Sequence, residues 1–180
     1  MKTDSVKKQI FICALVGFLV GILFANFVAD SYIVRSDLFS EYFLKQFLER
    51  KIVNGSYGIY LCCVRILPLL FMITIQQTKI SKCVVWLFLL WTGFSCGLLM
   101  SVELMNLGPF GVLFYLAGIF PQFFAYLPAY AVVIIRVIER EEVRWSVQKL
   151  LLTSVFLIVG IALELFVNPW IVKVVIRLIY

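Results

Sequence analysis

Two ionisable side chains, Arg65 and Glu164, lie inside long apolar runs of this chain. A charge near the centre of a bilayer costs at least about 3 kcal/mol, so such residues are rare and carry pairing or function by default. Arg65 is eight residues into a run that opens near Tyr57, and Glu164 is eight residues before the close of one that ends near Val172. Each offset is about 12 Å of helix. With those two ends on the same side of a membrane, the charges fall at one depth. We therefore expect an intramembrane ion pair between Arg65 and Glu164. The alternative is that each snorkels separately or meets water.

A second polar element sits in PFGVLFYLAGIFPQFFAYLPAYAVVII, Pro109 to Ile135, which is 27 residues without a formal charge. That exceeds the roughly 20 residues a transmembrane helix needs. Pro121, Gln122 and Pro128 stand in its middle. A proline removes one helical hydrogen bond and crowds the preceding turn, so a helix broken there is expected. In lipid, the freed carbonyls must find donors inside the protein, and Gln122 is a candidate donor.

Enzymatic chemistry finds little to work with. The chain has no histidine, and it lacks zinc-protease, serine-triad and P-loop spacings. Glu103 and Glu164 form a carboxylate pair on paper only, because Glu103 should sit at the outer rim of its helix and Glu164 inside. The five cysteines (Cys13, Cys62, Cys63, Cys83 and Cys96) lie in apolar runs without C-x-x-C spacing, and read as small apolar residues. No enzyme activity, metal or cofactor is expected.

The elements that must hold these residues are membrane helices. Hydrophobic residues make up 63% and charged residues 14%, and the mean hydropathy is +1.05. Continuous rather than alternating apolar runs exclude a β-barrel. The expected fold is one all-α polytopic bundle over 1–180. Its five transmembrane helices fall at about 10–28, 57–75, 83–102, 109–135 and 150–172, the fourth broken by prolines. Glu103 to Gly108 is expected to be a tight turn, and Arg136 to Lys149 a charged connector. Gly17-x-x-x-Gly21 and Gly93-x-x-x-Gly97 carry small residues four apart, the spacing that lets a second helix approach closely. They could pack helices within the chain or support a homo-oligomer. Between the first two spans, residues 37–51 have helical periodicity, with Phe39, Phe43 and Phe47 on one face and Asp37 and Glu41 on another. This reads as an interfacial helix, or as a docking helix for a partner.

The net charge of +6 does not point to nucleic acid, since the basic residues flank apolar runs and set topology. With the N-terminus inside, the inner segments hold nine Lys and Arg and the outer ones six. The expected orientation is N-terminus inside and C-terminus outside. A re-entrant fourth segment would put both its ends on one side, and the basic connector after it argues against that.

Four stretches together carry a resemblance. They are Gly93-Phe-Ser-Cys-Gly97-Leu-Leu-Met, Asn106-Leu-Gly-Pro-Phe-Gly111, Gly118-Ile-Phe-Pro-Gln-Phe-Phe-Ala-Tyr-Leu-Pro-Ala129 and Ala162-Leu-Glu164-Leu-Phe-Val-Asn168-Pro169. In order and placement, over roughly residues 57 to 172, they resemble the core of the stage II sporulation protein M family. Phe120 departs from the leucine usual at its position. The resemblance implies a non-enzymatic scaffold in the cytoplasmic membrane of a bacterium. It would position exported peptidoglycan hydrolases during engulfment of a forespore. Asp37, Phe39, Glu41, Phe43 and Phe47 would then be the docking surface, and Glu164, Asn168 and Pro169 the closing motif. The competing expectation is a small transporter using Arg65, Gln122 and Glu164 along an intramembrane path, because broken helices and buried charges are what transporters use.

Overall fold

The computed structural model describes residues 2–29, 41–49, 55–139 and 147–179, and among these every regular element is helical. Helix α1 (Lys2–Phe24) runs on into a π-helical turn, Ala25–Ala29. A short α2 (Glu41–Glu49) precedes α3 (Gly55–Ile75) and α4 (Ser81–Leu107). Then come α5 (Pro109–Ile119), α6 (Phe123–Glu139) and α7 (Val147–Ala162). A second π-helical turn, Leu163–Val167, joins α7 to α8 (Asn168–Ile179).

Four stretches are long and apolar enough to cross a membrane: Ser5–Phe27, Gly55–Ile75, Ser81–Leu107 and Val147–Leu178. Helices α5 and α6 pass the same test together, bent by 62° at their junction. The chain is a multi-pass, all-α membrane bundle. Its outward faces are apolar, with Phe11, Ile59, Leu67, Trp91 and Ile158 all more than half exposed, as lipid contact requires.

Two buried clusters mark the ends of the bundle. Leu69 and Met72 of α3, Val85 and Leu89 of α4, and Val133, Ile134, Val137 and Ile138 of α6 form one, with Val6 and Ile10 of α1 against it. At the other end Leu44 of α2, Ala117 of α5 and Val172, Val175 and Ile176 of α8 pack together beside Leu107. The α5–α6 pair starts at the second cluster and finishes at the first. Within the bundle it therefore runs from one end to the other.

The two glycine motifs meet each other. A Cβ on Gly17 or Gly21 would collide with the backbone of Leu90 or Phe94, and one on Gly93 or Gly97 with that of Ala14 or Phe18. The pairings advance together along both helices, so α1 and α4 run parallel with their backbones in contact. This packing uses both small-residue faces within one chain, which leaves neither for a homo-oligomer. Farther along α4, Gly111 of α5 approaches the Glu103 carbonyl just as closely, after a reversal at Gly108 (φ 59°).

Several boundaries differ from expectation. Helix α4 continues through 103–107, because nothing there interrupts a helix and only Gly108, with its positive φ, turns the chain. Arg136 belongs to α6 and is buried, so it is not part of a connector. The last expected span ends at 172, but α8 runs on to Ile179 and carries Lys173 and Arg177. Pro128 sits inside α6 without ending it; the break is at Pro121–Gln122 alone. A proline conflicts with the residue four before it. For Pro128 that is Phe124, in the first turn of α6, where the ladder has barely begun.

Gly21→Leu should lower the thermal midpoint by roughly 5 °C, the shift that about 2 kcal/mol makes in a chain of this size. The particle mass in detergent should stay the same. A change of mass without loss of stability would place the glycine faces between chains.

Candidate functional site

Arg65 and Glu164, 99 residues apart, meet inside the bundle. Arg65 Nε donates to Glu164 Oε2 at 2.9 Å and Nη2 donates to Oε1, so one edge of the guanidinium grips the whole carboxylate. This fork geometry is the strong form of a charge-assisted bond. Tyr126 Oη donates a third bond to Glu164 Oε2 at 2.7 Å. The Tyr126 ring lies under the guanidinium, 5.0 Å from its carbon to the ring centre, which adds a cation–π contact. Tyr130, one turn on, donates to the Arg65 backbone carbonyl at 2.7 Å. Its ring stacks on Phe88 of α4 at 5.8 Å.

Three prolines shape the helices that place these groups. Pro68 follows Arg65 by three residues in α3 and deprives the Val64 carbonyl of its donor. The neighbouring Arg65 carbonyl is the one Tyr130 takes. Pro169 would press its ring on the Leu165 carbonyl. The turn before it widens instead to π-helix, and the Asn168 N–H donates to the Leu163 carbonyl. Glu164 lies within that widened turn and is 9% exposed. Gly160 is one turn earlier, where a Cβ would stand 2.7 Å from Cδ1 of Tyr126. Only glycine leaves room for the ring that buttresses the pair.

The third break, at Pro121, is closed from across the bundle. Asn168 Nδ2 donates to the carbonyls of Ala117 (2.8 Å), Gly118 (3.0 Å) and Phe120 (2.9 Å). Two amide hydrogens serve three acceptors, so one bond is shared. Gln122 Nε2 turns back to the Gly118 carbonyl at 2.5 Å, and the Gln122 backbone carbonyl takes the N–H groups of Ala125 and Tyr126, both at 3.0 Å, and opens α6; the side-chain Oε1 is buried without a partner among the described residues. The end of α5 is thus satisfied by the closing Asn168-Pro169 element, four residues beyond Glu164.

The remaining candidates lie elsewhere. Glu103 is on α4, and among the described residues its Oε2 is buried without a hydrogen-bond partner. Nothing there joins it to Glu164. Phe47 packs against the Leu44, Val172 and Ile176 cluster, and Lys173 Nζ donates to the Leu48 carbonyl at 2.7 Å, at the negative end of α2. Phe47 is therefore spent on α8 and is not an outward anchor. Glu41 and Phe43 lie on α2, but their side chains, like all of Asp37 and Phe39, fall outside the described residues. Among the described residues no three His, Cys, Asp or Glu side chains gather where a metal could be held.

Tyr126, Tyr130 and Gly160 were not anticipated. Two tyrosines four apart on one face of an apolar helix, just beyond a break, were the available signal for hydroxyls aimed at buried charges. Fold and site together define a polytopic helical membrane protein with a buried, hydrogen-bonded charge pair. No family model, curated protein or solved structure matches the chain.

Two predictions follow from this geometry. Arg65→Met should destabilise by about 3 kcal/mol, because it strands a buried carboxylate, and adding Glu164→Gln should restore part of the loss. SDS-titrated unfolding measures both, and a double variant no better than Arg65→Met would mean the two charges are not coupled. Asn168→Ala takes the side-chain donor from the Ala117 and Phe120 carbonyls, while Gly118 keeps Gln122 Nε2, and should cost on the order of 2 kcal/mol in the same assay. An unchanged midpoint would show that the break needs no such donor.

Proposed function

We propose that this protein is a non-enzymatic scaffold of a bacterial cytoplasmic membrane, of the kind its sequence resembles, that positions exported peptidoglycan hydrolases. The observation that carries this reading is how the interior polar groups are used. Glu164 accepts three bonds from within the bundle, and Gln122, 5% exposed, gives its amide N–H to the Gly118 carbonyl, with only its Oε1 left unpartnered among the described residues. A transport path would need these side chains to line a passage. The cavity of about 160 Å³ between α1 and α4, lined by Ile22, Asn26, Met100, Ser101, Leu104 and Met105, lies away from all of them. The bonding pattern is that of a rigid support.

The proposed orientation has the N-terminus inside. The first cluster then marks the inner end, which gathers the start of α1, the α3–α4 link with Lys79 and Lys82, and the end of α6. The second cluster marks the outer end, where α2 and α8 form a cap. Under this scheme α2 and the segment before it face the cell wall. They are the proposed contact for the hydrolases, through Asp37 and Glu41.

The test is co-purification of tagged protein from native membranes in mild detergent, from sporulating cells where the host forms spores. Exported peptidoglycan hydrolases should be recovered, and charge reversal at Asp37 and Glu41 should reduce their recovery without reducing membrane insertion. Recovery of an ATPase or a solute-binding protein, with no wall enzyme, would replace the scaffold reading by the transport one.

A further inference from the structure

The bonds between Arg65 and Glu164 set α3 and α7 at one height, so the reach of the two helices can be compared from that level. Helix α3 extends ten residues from Arg65 to Gly55 and ten the other way to Ile75, about 15 Å each. Its 21 residues match the roughly 30 Å of hydrocarbon in an ordinary bilayer. The α7–α8 edge is longer. Its exposed apolar side chains run from Leu150 through Val155, Ile158, Phe166 and Trp170 to Leu178, across the π turn. The exposed charges beside this stripe are Lys149 and Arg177, at its two ends. Between them Glu164 is buried, and Lys173 turns to the Leu48 carbonyl. Glu164 stands fourteen residues, about 21 Å, from either end of the stripe. The stripe is therefore about 42 Å long and overshoots α3 by about 6 Å at each end. Helix α4 has 27 residues, about 40 Å, and its last residue, Leu107, packs against the α8 cluster of Val172, Val175 and Ile176.

Tilt does not remove the excess. Membrane helices lean by about 20° on average and by up to about 40°, whereas a 42 Å stripe needs about 45° to fit 30 Å of hydrocarbon. Nor is the excess cheap to leave bare. If the hydrocarbon ended level with α3, Leu150 and Leu178 would stand among headgroups, and each large apolar side chain left wet forfeits about 1.5–3 kcal/mol. Stretching the lipid costs only about a fraction of a kcal/mol per Å. The stripe on α8 continues the lipid-facing surface of α7 without a gap, which identifies acyl chains as its cover.

We propose that the α7–α8 edge is a contact surface for phospholipids with long acyl chains, so that the bilayer meets this protein at two thicknesses, greater beside α7–α8 than beside α3. This is independent of the scaffold reading and of orientation, since the excess is equal at both ends.

Trp170 lies on the stripe and can report its lipid. The full chain, with Trp86, Trp91 and Trp145 replaced by Phe, is reconstituted in phosphatidylcholine mixtures. One component is brominated, of ordinary chain length, and quenches tryptophan on contact; the other is unbrominated, with chains of about 14, 18 or 22 carbons. The longest chains should displace the brominated lipid from Trp170 roughly threefold better than the shortest. With the reporter moved to the α3 face by Tyr60→Trp and Trp170→Phe, that preference should vanish or reverse. Leu178→Lys shortens the stripe and should weaken the preference at Trp170. No preference at Trp170, the same preference at both faces, or a preference unchanged by Leu178→Lys overturns the proposal. If the reporter variants do not fold, the thermal midpoint against chain length decides. It should peak at longer chains in the wild type than in Leu178→Lys, and coincident peaks overturn the proposal.

Discussion

A bilayer offers no water to an interrupted hydrogen-bond ladder, and this chain interrupts its ladders at Pro68, Pro121 and Pro169. Each interruption leaves backbone groups that must be bonded from inside the protein. At Pro121 the remedy comes from another span, where Asn168 closes the end of α5; at Pro68, Tyr130 of α6 bonds the Arg65 carbonyl next to the deprived Val64 carbonyl. At Pro169 the backbone itself widens into a π turn. Because the donors lie on different helices from the acceptors, repairing the backbone also fixes which helices are neighbours. Magnitudes favour this order of importance. A stranded polar group costs about 1–3 kcal/mol, whereas a buried ion pair returns little beyond its own desolvation. The Arg65–Glu164 pair is costly to break, yet it adds less net stability than the carbonyls that its neighbours satisfy.

How much of this was legible depended on whether the signal was local. Apolar runs announce membrane helices because hydrocarbon thickness sets their length, and residues 57–75 and 83–102 fall inside α3 and α4 as observed. Helix rise, with the two helix ends on one side of the membrane, placed Arg65 and Glu164 at one depth. What failed was judged from composition near the ends. Glu103 and Asn106 made 103–108 look like a loop, but polar residues do not end a helix and a positive φ at Gly108 does. Pro121 and Pro128 looked equivalent, and only the place of each in its helix separates them. The partners of Asn168 and Gly160 lie on α5 and α6, so no window along the sequence contains them. The same holds for the glycine motifs, whose spacing predicts a close neighbour without naming it.

The glycine packing and the polar cluster solve different parts of one problem. Small residues four apart allow α1 and α4 to touch, but a pattern that repeats every turn also tolerates a slip of one turn. Apolar contacts between α3, α6 and α7 sit among apolar lipid tails and penalise a shift in depth only weakly. A fork between Arg65 and Glu164, completed by Tyr126 against Gly160, has one register in which all donors and acceptors meet. A displacement of one turn, about 5.4 Å, would unmake every one of these bonds at once. Buried polar groups are best attested in this registering role, where they cost stability and return specificity. The same reasoning explains why the pair and the Asn168 clasp stand four residues apart across the π turn. One turn of backbone then fixes α7 against α3 and α8 against α5, and the α2–α8 cluster is held at a set height along the bundle.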